Sequence, residues 1–347
     1  MKRKSIYLFA ALATAAFSLS SCSNDDSAES VNSPAELKIT AEMYPAIEVN
    51  TRAAYDIQST TPADFTNIGI YVWYTRNTAA KASAPTYAGY ANDKVASYSG
   101  TGPYTLTPTT NPTMYFPVDN ADVDVYLYAP YKATPTQTNM NMQHTVAADQ
   151  SLEAGYLASD FIYGKATADY DALSNPKEAR VTMYHAMSKI LFKVVSNGVS
   201  PTNMTNISLK NVYTTTTIRM PQTIAGSAPY LSCGSAATDN VDVASVLGDI
   251  KVWGTSGTVT ISDAQTYGVA AVIPPQTTSS ASGSEAKVSI TVDGKTATAN
   301  FSNITLAPGY VYTYNLKLTG QTLTITLVSI QDWISGGSGN LDFTNWS

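Results

Sequence analysis

The chain has 347 residues, with 26 acidic side chains against 20 basic ones and a formal net charge of -6. This balance argues against nucleic acid as a partner and against an electrostatic grip on an anionic bilayer. Only 13% of the residues are charged, 23 are tyrosines, and Thr, Ser, Gly and Pro recur between short apolar stretches, which is typical of extracellular all-β proteins.

The first predicted element is an export signal. Positive charges at Lys2–Lys4 precede an apolar stretch from Ile6 to Leu19, which is too short for a comfortable membrane-spanning helix. The small residues and cysteine that follow fit the end of a bacterial lipoprotein signal. Residues 1–21 are therefore predicted to be removed and Cys22 to carry lipid. The alternative is an ordinary secretory signal in which the cysteine occurs by chance.

The segment behind the signal is polar and acidic. Asp25 and Asp26 follow the cysteine closely, and acidic residues there resemble the surface-export signal of lipoproteins in some Gram-negative anaerobes. Leu37, Ile39 and Ala41 then alternate weakly with polar residues. This pattern predicts either a tether or one edge strand.

The first half of the chain alternates between strand patterns and polar excursions. Ile68–Tyr74, Val123–Tyr128 and Val181–Val195 are rich in β-branched and aromatic residues, as strands are. Residues 79–113 and 132–158 are polar excursions, and the first has room for short hairpins. Long helices are not predicted.

A turn signal at Asn197-Gly198 divides the chain, and a new set of strand patterns follows it. The clearest alternation is Tyr310–Leu318, with three tyrosines and two leucines on one face, and Leu323–Leu327 repeats the pattern. The sequence predicts an all-β fold of two tandem antiparallel β-sandwich domains, transthyretin-like or Greek-key, over residues 53–197 and 198–347.

Cysteine and histidine are too scarce to predict a disulfide framework or a catalytic site. Cys233 has no partner once Cys22 is lipidated, and it is expected to be buried and inert because no histidine is near it in sequence. His144 is predicted in a polar loop. His185 is predicted inside a strand, where a structural role is expected.

No motif predicts an enzyme, a cofactor or a metal site. Gly336–Asn340 approaches a nucleophile elbow but lacks the final glycine and a following helix. Asp119, Asp122 and Asp124 lack the glycine and distal glutamate of a calcium loop, so a solvated loop is expected. Interior tyrosines of a sandwich explain most of the aromatic residues, and a sugar-binding face stays open. A glycan-acting hydrolase would need paired carboxylates facing one cleft.

A set of segments follows in a fixed order along the chain. These are the lipobox at Cys22, Thr51-Arg52-Ala53, Ile68–Trp73, Tyr126–Tyr131, Asp160–Tyr163, His185–Lys189, Ile273–Thr277, Pro308–Tyr314 and Asp332-Trp333. Together they resemble the fimbrillin family, the subunits of type V pili of Gram-negative anaerobes and their Mfa-like relatives. No single segment is specific, and the order and spacing over nearly the whole precursor carry the resemblance.

The resemblance implies how the protein is matured. The lipoprotein precursor reaches the surface, and a protease cuts after an arginine, here matched by Arg52, so that Ala53 becomes the new N-terminus. Residues 22–52 would then be a lipidated propeptide that leaves with its strand. A strand from a neighbouring subunit would fill the open groove. The alternative is that Arg52 is merely an exposed arginine in a linker.

The strand that this subunit would donate is expected near the C-terminus. Leu323, Ile325 and Leu327 form the stronger candidate. Leu341 and Phe343 alternate in the short tail, behind a flexible glycine-rich stretch. A tip or accessory subunit that accepts a strand without giving one is the third alternative.

The resemblance implies a structural, pilin-like subunit that mediates adhesion. Its expected location is the surface of the cell outer membrane, through lipid on Cys22, and a fimbrium after cleavage. The expected partners are other fimbrial subunits and a host or bacterial surface receptor. The alternative is a surface lipoprotein that stays anchored and binds glycan or a protein partner as a monomer.

Overall fold

The computed structural model consists of strands and one short helix in the part of the chain that it describes. It describes residues 35–43, 67–74, 93–100, 103–110, 112–117, 122–133, 141–173, 177–196, 202–219, 232–233, 240–241, 246–254, 259–261 and 267–333. These residues belong to one compact unit, which spans Pro34–Ser347.

Most elements are short strands, as expected from the frequent turn residues. In chain order, the described strands are β1 (Glu36–Met43), β2 (Gly69–Tyr74), β3 (Asp93–Ser99), β4 (Tyr104–Pro108), β5 (Met114–Tyr115), β6 (Val123–Ala129), β7 (Asn141–Thr145), β8 (Ile162–Ala168), β9 (Lys177–His185), β10 (Ser188–Ser196), β11 (Thr202–Tyr213), β12 (Thr215–Arg219), β13 (Ser232–Cys233), β14 (Asn240–Val241), β15 (Leu247–Trp253), β16 (Val259–Ile261), β17 (Tyr267–Ile273), β18 (Gln276–Thr277), β19 (Lys287–Val292), β20 (Lys295–Asn300), β21 (Thr305–Leu306), β22 (Tyr310–Thr319) and β23 (Thr322–Asp332). The helix α1 is Glu153–Ala158.

Strands of the first half close into a barrel. Their hydrogen-bonded order is β4-β3-β2-β6-β8-β9-β1, and β1 also pairs with β4, so that seven described strands form a ring. β5 pairs with β1 on the same edge as β4, nearer the start of β1. Closing the sheet removes its edges and buries the inward side chains.

β6 lies between β2 and β8 in the barrel wall, and all of its residues are buried. Its valines and Leu127 lie on the inner face. The tyrosines lie on the outer face, where the ring of Tyr128 is 6.2 Å from that of Tyr71 and 6.2 Å from that of Phe161. An aromatic layer therefore covers the barrel wall from outside.

The chain changes sheets at Ala186 and Met187, which are both fully buried. β9 ends in the barrel wall, whereas β10 pairs with β17 and β22 in the four-stranded sheet β17-β10-β22-β23. The strand pattern predicted over Val181–Val195 is therefore divided between two sheets.

The second half contains this sheet and a second one, ordered β15-β11-β19-β20, with β16 also pairing with β11. The two sheets share an aromatic core. The ring of Phe301, which follows β20, lies 6.3 Å from Phe192 of β10 and 5.4 Å from Tyr314 of β22. The alternation predicted for β22 is confirmed, since its inward residues from Tyr312 to Leu318 are buried.

Smaller sheets complete the described fold. The order β13-β14-β12-β7 joins β7 of the first half to β12 of the second, and β18 pairs with β21. The prediction of His144 in a polar loop is wrong, because it lies in β7 and is only 2% exposed.

The all-β class is confirmed, and the two tandem sandwich domains are not. The first half is closed because β1 joins β9 to β4. Three described pairs, β1 with β9, β10 with β22 and β13 with β14, are parallel where antiparallel pairing is expected. The domain limits 53–197 and 198–347 stay a prediction. β10, which precedes the predicted boundary, pairs with strands that follow it.

The expectation of a tether or an edge strand over Leu37, Ile39 and Ala41 is also wrong. β1 has a hydrogen-bonded neighbour on each side, with β9 on one edge and β4 and β5 on the other. An internal strand, unlike an edge strand, has hydrogen-bonding partners for its backbone on both edges.

Candidate functional site

The place of β1 in the barrel wall is the candidate functional site. β1 runs parallel to β9 from the pair Leu37 and Lys177 to the pair Met43 and Met183. It runs antiparallel to β4 and β5 on its other edge. Its backbone groups are therefore satisfied by strands that lie far from it in sequence.

The inner face of β1 is apolar. Leu37, Ile39 and Ala41 are 3%, 2% and 0% exposed, and all three belong to the core. Burial of each larger side chain contributes about 1.5–3 kcal/mol. The groove that β1 fills thus has two large inward positions followed by a small one.

The outer face of β1 carries polar residues that bind β9. Thr40 Oγ1 donates to Glu178 Oε1 at 2.7 Å, and Lys38 Nζ lies 3.4 Å from Glu178 Oε2. The hydrogen bond from Thr40, assisted by Lys38, lowers the pKa of Glu178 although partial burial opposes the shift. Glu178 is therefore an anion that binds two β1 side chains.

Glu36 and Glu42 are the acidic residues on the outer face of β1, and Glu42 is the one that binds β9. Arg180 Nε donates to Glu42 Oε1 at 3.0 Å, and Nη2 donates to Oε2. Thr182 Oγ1 donates to Glu42 Oε1 at 3.3 Å. The bond to Glu42 raises the pKa of Arg180. A forked pair of this kind fixes geometry as well as charge.

This arrangement can recognise an extended peptide by its backbone, its inward side chains and its charges. Backbone edges on both sides supply hydrogen bonds, the core supplies apolar contacts, and β9 supplies Glu178 and Arg180. Strand addition uses the same combination, since the backbone gives affinity and alternate side chains give specificity.

Most residues predicted to act in maturation lie outside the described residues. These are Cys22, Arg52 and Ala53, together with Leu341 and Phe343 of the tail. Their roles stay predictions. Cys233 lies in β13, paired with Val241, and its predicted inertness likewise stays a prediction.

The stronger donor candidate is placed in β23, which pairs with β22 and forms the last strand of its sheet. Leu323 is buried and Ile325 packs against the core. Leu327 is 46% exposed, and Val328 and Ile330 are 50% and 52% exposed. The period of two is interrupted by an irregularity in the β22 register, between the partners of Leu327 and Ser329.

A buried cluster holds the end of β23. The ring of Trp333 stacks on His185 with centroids 4.0 Å apart and an interplanar angle of 4°. His185 Nδ1 donates to Asp160 Oδ2 at 2.7 Å. Lys189 Nζ lies 5.6 Å from the Trp333 ring, and burial lowers the pKa of Lys189 to about 8. The predicted place of His185 in a strand is confirmed, since it ends β9, and its structural role stays a prediction.

Two of the three acidic residues considered for calcium have protein partners, and Asp119 lies outside the described residues. Asp124 Oδ2 lies 3.2 Å from Lys165 Nζ, Asp124 Oδ1 accepts from Thr167, and Asp122 accepts from the backbone of Tyr170. Within the described residues no three His, Cys, Asp or Glu side chains are grouped as a metal site. In the same part of the chain no helix combines the length and apolar character needed to cross a membrane.

Comparison with known proteins gives the family. The fimbrillin-like family matches residues 51–333. The chain belongs to the fimbrillin-like family. No curated protein is similar to it at a significant level.

Solved structures share the fold of this fimbrillin-like chain. A candidate cell adhesion protein from Bacteroides uniformis is 16% identical with a TM-score of 0.55, over 87% of this chain and 98% of its own. Another from Bacteroides ovatus is 17% identical with a TM-score of 0.56, over the same shares. At this identity the likeness shows the fold alone.

The limits of the family match bear on β1. The match begins at residue 51, whereas β1 ends at Met43. In this fimbrillin-like chain, β1 therefore fills the barrel wall from a segment that precedes the matched region.

Sequence reasoning missed the polar partners of β1 on β9. The signal was present, because Lys38, Thr40 and Glu42 share one face of a strand and Glu178 and Arg180 share one face of another. The polar faces come together only because the two strands pair, although they lie about 140 residues apart in sequence.

Proposed function

We propose that this chain is a pilin-like structural subunit of a surface fimbrium, exported as a lipoprotein, cleaved after Arg52 and polymerised by donor-strand exchange. One observation carries the proposal. β1 precedes Arg52 in sequence and yet forms an internal strand of the barrel wall. Cutting the chain between β1 and the barrel would leave β1 held only by noncovalent contacts.

Loss of β1 would open the barrel wall on both sides of its place. β9 would lose its parallel partner, β4 and β5 would lose their pairing with β1, and the core would lose Leu37 and Ile39. Unpaired edges next to an apolar slot are a template for another strand. Cleavage would thus convert a closed subunit into one that can receive a neighbour.

The leader supplies the location in this proposal. Lipid on Cys22 holds the precursor at the outer membrane surface, and cleavage releases it into the fimbrium. Its partners are other fimbrial subunits and a host or bacterial surface receptor for adhesion. The support is the sequence of the first 22 residues together with the family match.

Replacing Arg52 by lysine tests the maturation step. An arginine-specific protease would no longer cut, so surface protein from the native cells would keep Cys22 as its N-terminus and form no SDS-resistant ladder. The unchanged chain should start at Ala53 and form ladders. Trypsin, which accepts lysine, should still cut the variant in solution and serves as the control. Ladders from uncleaved protein would contradict the proposal.

A tip or accessory adhesin is the second candidate, and one observation favours it. β23 pairs with β22 along its whole length, from Tyr310 and Asp332 to Thr319 and Thr322. Donation of β23 would break this ladder, whereas an acceptor subunit keeps it. Tagged protein at one end of native fimbriae in immunogold microscopy would indicate a tip subunit, and labelling along the shaft would indicate a stalk subunit.

A further inference from the structure

The register of β1 on β9 brings a defined order of charges together. Lys38 is paired with Glu178, Thr40 with Arg180 and Glu42 with Thr182. The side chains reach across this register, so that Glu178 binds Lys38 and Thr40 while Arg180 binds Glu42. Reading along β9, an anion comes first and a cation follows.

We propose that Glu178 and Arg180 make the groove selective for the charge order of the strand that replaces β1. The incoming strand must carry a basic side chain at the place of Lys38 and an acidic one at the place of Glu42, four residues later. The inference rests on the strand exchange proposed above. It adds that the natural occupant is a strand of a different subunit with this charge order.

This chain's own candidate donors do not have this charge order. If Leu323, Ile325 and Leu327 take the three inward places, the outward places hold Thr324, Thr326 and Val328, none of which is charged. A strand without charges leaves Glu178 and Arg180 partly buried and without their partners. The affinity of the groove for such a strand is therefore lower.

The tail fits still less well. If Leu341 takes the place of Leu37, Asp342 takes the place of Lys38 and meets Glu178. A shift by two residues places Asp342 where Thr40 binds Glu178. An acidic side chain therefore lies next to Glu178 in both of these registers, and the two like charges repel. In the register that places Asp342 at the position of Glu42, Gly337 and Gly339 take the places of Leu37 and Ile39 and leave the two large inward positions unfilled. A second copy of this chain is thus a poor donor for this groove.

The strength of the selection follows from exposure. The side chains of Glu42 and Glu178 are 20% and 33% exposed, whereas that of Arg180 is 55% exposed. Exposed ion pairs are weak, but the forked Arg180 pair is stronger, and exchanging the charges converts two attractions into two repulsions. We expect a preference of about tenfold for the native charge order, and less in high salt.

The experiment uses the full chain with a site-specific protease sequence replacing Asn50–Ala53. After cutting, fluorescent peptides that span residues 34–45 compete with the retained β1 segment, and their anisotropy reports entry. One peptide has the native sequence, and its matched control carries Lys38→Glu and Glu42→Lys, so composition and length are equal. Two further peptides span residues 322–332 and 334–347.

The groove is tested from the other side by Glu178→Lys with Arg180→Glu. Because this change alone could weaken the uncut chain, it is made together with Lys38→Glu and Glu42→Lys, which restores both pairs before cutting. The native groove should prefer the native peptide about tenfold, and the exchanged groove should reverse this order.

Equal affinity of the native and exchanged peptides would overturn the charge selection and leave strand exchange intact. Affinity of either C-terminal peptide equal to that of the native peptide would overturn the inference of a different subunit. If the β1 segment dissociates and no peptide enters, strand exchange fails, and the inference fails with it.

Discussion

Among single residues, His144 shows how burial sets a charge state. Its Nε2 lies 3.0 Å from the carbonyl oxygen of Ser159, which can only accept, so Nε2 carries the proton. Its Nδ1 is buried and has no hydrogen-bond partner within the described structure. Burial lowers the pKa of His144 to about 4 despite the bond to Ser159.

This pKa predicts a pH dependence of stability. Between about pH 6.5 and pH 4 the unfolded chain binds a proton at this histidine and the folded chain does not, so the free energy of unfolding falls as the pH falls. Over this pH range, protonation of the histidine in the unfolded chain lowers the free energy of unfolding by about 3 kcal/mol. His144→Gln retains a donor for Ser159 without titrating. Chemical denaturation of both proteins across this range should show a larger loss for the unchanged chain, and parallel profiles would contradict the assignment.

Position 69 requires glycine because the ring of Tyr128 lies close to its backbone. A Cβ at Gly69 would lie 2.3 Å from Cζ of Tyr128, and that ring is fully buried against Tyr71 and Phe161. Gly69→Ala should therefore destabilise by about 1–3 kcal/mol. Tyr128→Leu removes the clash, so the double variant should lose less than the sum of the single changes in thermal unfolding. Strict additivity would show that the ring is free to move.

Among the elements, the end of β23 depends on Trp333. Its backbone N–H donates to the carbonyl of Gly309 at 2.6 Å, and its ring stacks on His185. Trp333→Ala should cost about 3 kcal/mol or more, because a large buried ring is removed. Amide hydrogen exchange should accelerate most where the end of β23 pairs with the start of β22, at Asp332 and Tyr310.

The control for this change is Ile330→Ala, because Ile330 is an exposed residue of the same strand. It should leave exchange rates nearly unchanged. Equal acceleration in both variants would mean that Trp333 does not hold the strand end.

Elements with a strong local pattern could be predicted, and those defined by distant pairing could not. The alternation of β22 is visible in sequence because its tyrosines and leucines fill one face of a core. β1 has only the weak alternation of Leu37, Ile39 and Ala41, and its internal position comes from β9 and β4. His144 looks like a loop residue because its neighbours in sequence are polar. Its place in a strand comes from the pairing of β7 with β12, and its burial from packing against Phe161.

For the molecule as a whole, Gln150 joins the first half to the second. Its side chain imitates a strand neighbour, since Nε2 donates to the carbonyl of Val272 at 2.8 Å and Oε1 accepts from the Val272 N–H at 2.8 Å. β7 pairs with β12 beside it. These bonds connect elements that the sequence assigns to separate domains.

Such a connection predicts that both halves unfold together. Gln150→Leu leaves the N–H and C=O of Val272 buried without these partners and should cost about 2–4 kcal/mol. Gln143→Leu is the matched control, because Gln143 is exposed and should change stability little. Hydrogen exchange at β6 and at β17 should accelerate by the same factor in the Gln150 variant if unfolding is cooperative across the halves. Acceleration confined to β17 would show two independently unfolding units, and would favour the separate domains predicted from the sequence.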